Sequence, residues 1–356
     1  MDRREFLRTG GAAAATVTTA SAVGSAVAAH PAPHIGTNLR ELRLAMPWAE
    51  SFAGPADQAL RLARDIAERS EGRIRLVPAF EVADAQAAVR DGAADIFFAN
   101  GHEHTRAHAG FAFFAGLPGT HGLAPEHLRL WIDEGGGEAL WDELAAERGF
   151  KPLLASHTGS RSYLFASEMI DAMPDLAGRQ IVIDGLGRDV ARGLGLEPFD
   201  IRPAQVATAL AGGKILAAEC GGAIASYALG LPRTAAFQAG TSINTTGNAI
   251  TLGISRTYWE HLTAADQQIF RACAAAEFAR SLAEESAHRD LLQPRAQADR
   301  VWPITTELTH TIGRITDAVV AHATGTDQTT RRIGSSYSAF KRLLGSSATP
   351  SSSPIA

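Results

Sequence analysis

A group of polar residues between positions 102 and 108 carries the ligand atoms that a metal ion would need. His102, Glu103, His104 and His108 supply imidazole and carboxylate groups, which bind zinc and similar cations. They follow an apolar run at 94–99, and in doubly wound sheets ligands bind at the carboxyl ends of strands. One hypothesis is therefore a metal-dependent enzyme that uses His102, Glu103 and His104. The alternative is that these loop side chains are solvated or contact a bound solute.

A glycine pair at positions 185 and 187 offers a different chemistry. Gly185-Leu186-Gly187 lies between a predicted strand and a predicted helix, as in the phosphate-binding turn of dinucleotide-binding proteins. The sequence shows no acidic residue at the end of a second strand at the distance that such proteins require. The pattern therefore favours an ordinary turn. The sequence also lacks the Gly-x-Ser-x-Gly motif of hydrolases and a paired-carboxylate motif.

The N-terminus indicates export. Arg3 and Arg4 precede the apolar residues Phe6 and Leu7, a pattern typical of twin-arginine signals. A weakly apolar run at 10–27 and small side chains at 26–28 complete a signal peptide, which we assign to residues 1–28. The Gly, Ser and Thr content makes this run too polar to favour a membrane anchor. We therefore expect the twin-arginine translocase to deliver the mature chain to the periplasm.

Composition limits the classes of function. The chain has 356 residues, of which 46% are hydrophobic, enough to bury one large core or two smaller ones. A formal net charge of -5 leaves no basic patch for nucleic acid or anionic lipid. Cys220 and Cys273 are too few for a disulfide framework, and the sequence leaves open whether they pair.

Short apolar runs alternate with amphipathic stretches from residue 41 onward, which predicts an α/β architecture. A strand at 43–48, a helix over 55–69 and a strand at 74–78 form the first βαβ unit. A helix at 85–91 and a strand at 94–99 repeat it. Further strands are predicted at 151–156, 163–166, 180–184 and 198–201. This second set indicates a second lobe.

A long helix is predicted near the C-terminus. Thr263 is its expected N-cap, and Asp266 occupies the capping-box position three residues later. The helix continues without Gly or Pro to about residue 293, a length of about 45 Å at 1.5 Å per residue. It is long enough to brace two lobes. Residues 346–356 are rich in Ser and Pro, which predicts a disordered tail.

The order and spacing of several motifs resemble the periplasmic solute-binding proteins of tripartite ATP-independent periplasmic (TRAP) transporters, of the DctP type. The resemblance covers nearly the whole mature chain. The motifs that carry it include Gly92 and Asp95 before a buried strand, residues 111–118, Trp131 with Gly135-Gly136-Gly137, Asp175-Leu176-Ala177-Gly178, Ala209-Leu210 with Gly213, residues 258–263, and Ser336-Tyr337-Ser338-Ala339-Phe340.

This resemblance implies a two-lobed fold over residues 37–345. The lobes would span about 37–160 and 161–245, and both would be crossed by 246–345. It implies a function too: the lobes close by a hinge motion over a small organic anion, and the membrane subunits recognise the closed state. No bond is made or broken, so the protein would not be an enzyme. A sensory module that binds the same solute is another alternative, and the sequence leaves monomer or homodimer open.

The chain is most similar to the branch that binds 2-oxo acids, in which a carboxylate is bound beside a sodium ion. In that register Val182 occupies the position of the carboxylate-binding arginine, and Arg161 that of a glutamine that contacts ligand and cation. Glu219 matches a metal-binding glutamate, Cys220 replaces an aromatic residue, and Thr245 replaces an acidic one. The resemblance implies a site at these positions, with His102 and Glu103 on its wall.

We expect Arg161 to replace both the arginine and the metal ion. A guanidinium group can hold a carboxylate with two parallel hydrogen bonds, and its charge can pair with Glu219 where sodium would otherwise lie. The alternative is that Arg161 points into solvent from a hinge strand.

Overall fold

The computed structural model describes residues 39–161, 164–240, 242–292 and 301–347. The predicted signal peptide with Arg3 and Arg4, and the predicted tail after residue 347, lie outside the described residues. Within the described ranges, no helix is both long and apolar enough to cross a membrane.

The strands, numbered in chain order, are β1 (Arg40–Ala45), β2 (Ile74–Ala79), β3 (Ile96–Asn100), β4 (Phe150–His157), β5 (Leu164–Ala166), β6 (Gln180–Val182), β7 (Glu197–Pro198), β8 (Ala217–Ala218), β9 (Phe237–Ala239), β10 (Ala249–Ser255) and β11 (Val301–Trp302).

The α-helices are α1 (Pro55–Arg69), α2 (Ala85–Arg90), α3 (Ala112–Ala115), α4 (Pro125–Asp133), α5 (Gly137–Ala146), α6 (Gly187–Gly193), α7 (Pro203–Ala211), α8 (Ala223–Ala228), α9 (Leu231–Thr234), α10 (Arg256–Glu260), α11 (Ala264–Leu292), α12 (Thr306–Gly325) and α13 (Gln328–Ser347). Short 3-10 helices occupy Gly101–Arg106, Ala109–Phe111, Gly119–His121 and Met173–Leu176.

The strands form two sheets, one for each lobe. The first has the order β2-β1-β3-β10-β4, with β1 parallel to β2 and β3, and β10 antiparallel to β3 and β4. The second has the order β11-β9-β5-β8-β6-β7. The first sheet is buried on both faces: Phe97 packs into one apolar cluster, whereas its neighbours Ile96 and Phe98 pack into another. The predicted two-lobed α/β fold is confirmed.

Helix α1 has the predicted bounds because its start signal and the spacing of its apolar residues both indicate the same helix. Pro55 is its first residue, where proline is tolerated, and Leu62 and Ile66 are fully buried on one face. The preceding strand was predicted three residues too late. It begins at Arg40, which pairs with Ile74 of β2, so partnership with the neighbouring strand extends it beyond its apolar run.

Helix α11 joins the lobes. The Thr263 hydroxyl accepts the backbone N–H of Asp266 at 3.1 Å, which confirms the predicted N-cap. The first half of the helix packs on the first lobe through Phe270. Further along, the Glu285 carboxylate accepts the backbone N–H of Ala223 at 2.7 Å and thereby caps α8 of the second lobe. The predicted brace is confirmed.

Two other expectations are decided by the fold. The strand predicted at 198–201 is shorter and lies at Glu197–Pro198, because β7 pairs with β6 over only two residues at the sheet edge. Cys220 lies after β8 and Cys273 lies in α11, and both are free thiols.

Candidate functional site

Arg161 lies in the segment that connects the first sheet to the second, and its side chain is only 5% exposed. Its backbone N–H donates to the Thr245 carbonyl at 2.9 Å, and its Nε donates to the Gly221 carbonyl at 3.0 Å. Its Nη1 lies 3.8 Å from Glu219 Oε2. Its Nη2 is buried without a hydrogen-bond partner in the described part of the chain. The guanidinium group therefore points inward, with one amino group unused.

Glu219 follows β8 and its side chain is fully buried. Its carboxylate accepts the backbone N–H of Ile243 and that of Asn244, the latter at 3.0 Å. Burial raises the pKa of this carboxyl, whereas Arg161 and the two amides lower it. Burying a carboxylate is costly unless a cation and donors compensate it. Arg161 and the two amides offset part of that cost, and the pKa of Glu219 stays raised above its ordinary value because burial has the larger effect.

Two buried histidines lie close to Arg161. His157 is the last residue of β4, and its Nδ1 accepts the backbone N–H of Gly159 at 3.0 Å. The proton therefore lies on Nε2, which has no partner among the residues described. Burial, and then the charges of His102 and Arg161, lower the pKa of His157 to about 3. The ring is neutral at pH 7 and is a hydrogen-bond donor.

His102 comes from the first lobe and touches the second. It lies in the 3-10 helix Gly101–Arg106, which follows β3. A Cβ built on Gly185 would lie 2.2 Å from the Nδ1 atom of His102. Burial and the charge of Arg161 lower its pKa to about 3. Asn248 lies near enough to the ring to raise the pKa of His102 against these effects. Neither ring nitrogen, however, makes a hydrogen bond of good geometry with a described residue. The absence of a side chain at position 185 allows this contact between lobes.

Besides His157, sequence reasoning missed Asp184, whose charge interacts with that of Arg161, and the two asparagines that contact Asp184, Asn244 and Asn248. Asp184 follows β6, its backbone carbonyl accepts Nδ2 of Asn244 at 3.1 Å, and its Oδ2 lies 3.5 Å from Nδ2 of Asn248. Part of its surface is exposed, but the surrounding protein desolvates the carboxylate and raises its pKa, against the effect of Arg161. The signal was present, since Asp184 ends a predicted strand directly before Gly185.

The other predicted site residues are Cys220, Val182, Thr245 and Glu103. Cys220 lies beside Glu219, and burial raises the pKa of its thiol to about 12, so it is not a nucleophile at neutral pH. Val182 lies in β6 and packs against an apolar cluster. The Thr245 hydroxyl donates to the Gly119 carbonyl at 2.9 Å, so its role here is to hold the backbone. Glu103 is exposed.

The histidine cluster is not assembled as the metal hypothesis required. His104 is buried among Phe97, Phe111 and Phe150, and its Nδ1 lies 3.0 Å from Gln86 Oε1, whereas His102 faces Gly185. Over the described ranges, no three His, Cys, Asp or Glu side chains are arranged to hold a metal ion. The described residues therefore do not support the hypothesis of a metal site formed by His102, Glu103 and His104.

The family model of bacterial extracellular solute-binding protein family 7, DctP, matches residues 55–322. A monocarboxylate 2-oxoacid-binding periplasmic protein of Nostoc sp. is 26% identical over 279 residues, which are 76% of this chain and 74% of that protein.

Solved structures of similar fold include two TRAP solute-binding proteins. One, from Bordetella bronchiseptica with calcium and picolinate, has a TM-score of 0.79 and 22% identity, and the match covers 86% of this chain and 93% of that one. Another, from Colwellia psychrerythraea with calcium and pyruvate, has a TM-score of 0.80 and 18% identity, and the match covers 88% and 97%.

Proposed function

The chain belongs to bacterial extracellular solute-binding protein family 7, the DctP family, and we propose that Arg161 binds its solute in the cleft between the lobes. The protein is a solute-binding subunit of a TRAP transporter. It captures a small organic anion and delivers it to the small and large membrane subunits.

The buried guanidinium group of Arg161 carries the proposal. Its side chain is 5% exposed, yet Nη2 has no protein partner within the described ranges. A buried donor without an acceptor is costly, so a ligand acceptor at this position would stabilise the closed state. A carboxylate is the acceptor that matches a guanidinium best, because it adds opposite charge as well as oxygens. The neighbouring Nε2–H of His157 would be a second donor.

The residues present do not fit the sodium or calcium ion found in related proteins. The cationic Arg161 side chain lies 3.8 Å from Glu219, the carboxylate that the resemblance assigns to the metal. Both carboxylate oxygens of Glu219 already accept backbone N–H groups. A cation placed beside Arg161 would be repelled. Arg161 therefore takes the place of the ion in this proposal.

Closure of the lobes would complete the site. His102 contacts Gly185, and at the cleft edge Arg106 Nη2 of the first lobe lies 3.4 Å from Asp200 Oδ1 of the second. These contacts exist only when the lobes are together. A solute that bridges the lobes would favour this state, which is the one that the membrane subunits recognise.

Export belongs to the proposal as well. Arg3 and Arg4 would direct the precursor to the twin-arginine translocase, and residues 1–28 would be removed. The mature protein would then act in the periplasm.

Sedimentation velocity on the mature protein would distinguish a monomer from a homodimer, the two states that the sequence left open.

Mass spectrometry of molecules released by gentle denaturation of the periplasmic protein would identify the solute. A thermal-shift screen of oxo acids, hydroxy acids, amino acids and dicarboxylates would provide an independent test. A ligand at about a hundred times its dissociation constant should add about 2.7 kcal/mol to the free energy of unfolding. No released acid and no stabilising acid would together contradict the proposal.

A further inference from the structure

The cleft has an excess of carboxylates over cations. Arg161 is 3.8 Å from Glu219, and its charge also opposes the effect of burial on the pKa of Asp184. A second guanidinium group near Asp184, that of Arg188, is held by Asp200 at 2.8 and 3.2 Å. Val182, two residues before Asp184, is apolar and adds no positive charge. Among the described residues, Arg161 is therefore shared by Glu219 and Asp184, and the other cation that acts on Asp184, Arg188, is already paired with Asp200.

The same region contains acceptors that lack donors. The amide nitrogens of Asn244 and Asn248 face the carbonyl and the carboxylate of Asp184, at 3.1 and 3.5 Å. These contacts orient the two amides and leave Oδ1 of each to other groups. Both Oδ1 atoms are buried. That of Asn244 makes no hydrogen bond in the part of the chain that the structure describes, and that of Asn248 faces the His102 ring without a hydrogen bond of good geometry. Buried acceptors without donors are costly, and a ligand that supplies donors relieves that cost.

We propose that the solute carries a hydrogen-bond donor, a hydroxyl or an ammonium group, in addition to its carboxylate. This inference rests on the proposed function, since Arg161 and His157 must take the carboxylate. The donor then meets Asp184 and the amide oxygens of Asn244 and Asn248. A hydroxy acid or an amino acid meets both requirements. An oxo acid does not, because its oxygens only accept hydrogen bonds.

Two series of acids that differ at one carbon test this inference on the unaltered mature protein. Pyruvate, lactate and alanine form the first, and acetoacetate, 3-hydroxybutyrate and 3-aminobutyrate form the second. Isothermal titration should show that the hydroxy or amino member of at least one series binds about tenfold or more tightly than its oxo partner. Oxo acids that bind within tenfold of their partners, or more tightly, would overturn the inference alone. Binding of no acid in either series or in the wider screen would overturn the proposed function, and this inference with it.

The variant Asp184→Asn tests whether Asp184 accepts a hydrogen bond from the hydroxyl or ammonium group of the solute. The variant keeps an acceptor oxygen and loses the charge, so an amino acid should lose about tenfold in affinity and more than the matched hydroxy acid. Asp189→Asn is the matched control, because Asp189 lies on the same lobe and pairs with Arg192 at the exposed surface of α6. A ranking of oxo, hydroxy and amino acids that is the same in Asp184→Asn as in the unaltered protein would contradict the role of Asp184. Circular dichroism would establish that both variants fold.

Discussion

At the scale of single residues, Arg161 is the side chain on which binding depends most. Arg161→Ala should weaken binding of an acid by about 2 to 5 kcal/mol, because it removes the charged donor and leaves Glu219 buried without a cation. Isothermal titration measures the change. Arg192→Ala, which removes an exposed guanidinium group from α6, should leave affinity unchanged.

Cation dependence separates Arg161 from a metal ion. Replacing sodium with potassium in the buffer should not alter affinity if the guanidinium group supplies the positive charge. Unchanged affinity in Arg161→Ala, or loss of binding when sodium is withdrawn, would show that the guanidinium group has not replaced the metal.

His157 should contribute to unfolding at low pH. Its pKa of about 3 in the folded protein lies below the ordinary value of 6.5, so the unfolded chain binds the proton first. The stability that neutral His157 contributes is complete above pH 6.5 and is lost as the pH falls toward 3. His157→Asn keeps an acceptor for Gly159 and removes this titration. Between pH 6.5 and 4.5 it should lose about 2 to 3 kcal/mol less stability than the unaltered protein.

Urea unfolding at a series of pH values measures this difference. His127→Asn, a change at an exposed position on α4, should follow the unaltered protein. Parallel curves for His157→Asn and the unaltered protein would contradict the prediction.

At the scale of elements, the start of α11 is a point where a small change should be measurable. Thr263→Ala removes the acceptor of the Asp266 N–H and should lower the free energy of unfolding by about 1 kcal/mol. Thr263→Ser keeps the hydroxyl and should retain most of the stability. Thermal unfolding checks both variants, and equal midpoints for Ala and Ser would show that the cap contributes nothing.

At the scale of the whole molecule, closure should depend on Gly185. Gly185→Ala places a methyl group 2.2 Å from Nδ1 of His102, so the lobes should fail to close fully and affinity should fall by about tenfold or more. Gly178→Ala is the matched control, since Gly178 also has a positive φ, of 68°, but no atom lies within 4 Å of its added Cβ. It therefore reproduces the backbone strain without the clash.

Small-angle scattering with saturating ligand should show a more open Gly185→Ala than the control. Equal affinity and equal dimensions in the two variants would contradict a role for this contact in closure.

Export is the other property of the whole molecule that can be tested. Changing Arg3 and Arg4 together to Lys should leave the precursor in the cytoplasm, while the solute-binding domain still folds. The arginine pair is the part of the signal that the export receptor recognises. Cell fractionation measures the distribution, and normal periplasmic yield of the double variant would contradict the prediction.

Much of the architecture follows from local sequence. Pro55 and the buried spacing of Leu62 and Ile66 predict α1 correctly, and Thr263 predicts the start of α11, because propensity, periodicity and capping act within a few residues. Strand ends were predicted less well, since β1 and β7 extend only over the residues that pair with a neighbouring strand. The family could be identified from the order of its motifs, which depends on the whole chain rather than on one site.

The sequence by itself determined the two-lobed α/β fold and the family. For Arg161 it left two alternatives, pairing with Glu219 or exposure to solvent, and the fold places the two side chains 3.8 Å apart. Only the tertiary structure decided which other side chains join them. It separated His102 from His104 by burying His104 among aromatic rings. It also brought His157 and Asp184 near Arg161, and Asn248 to Asp184, from three different segments. These neighbours could not be predicted, because burial and distance between segments far apart in the chain arise only when two sheets pack around a shared cleft. The pKa values and unpaired polar atoms that define the candidate site come from that packing.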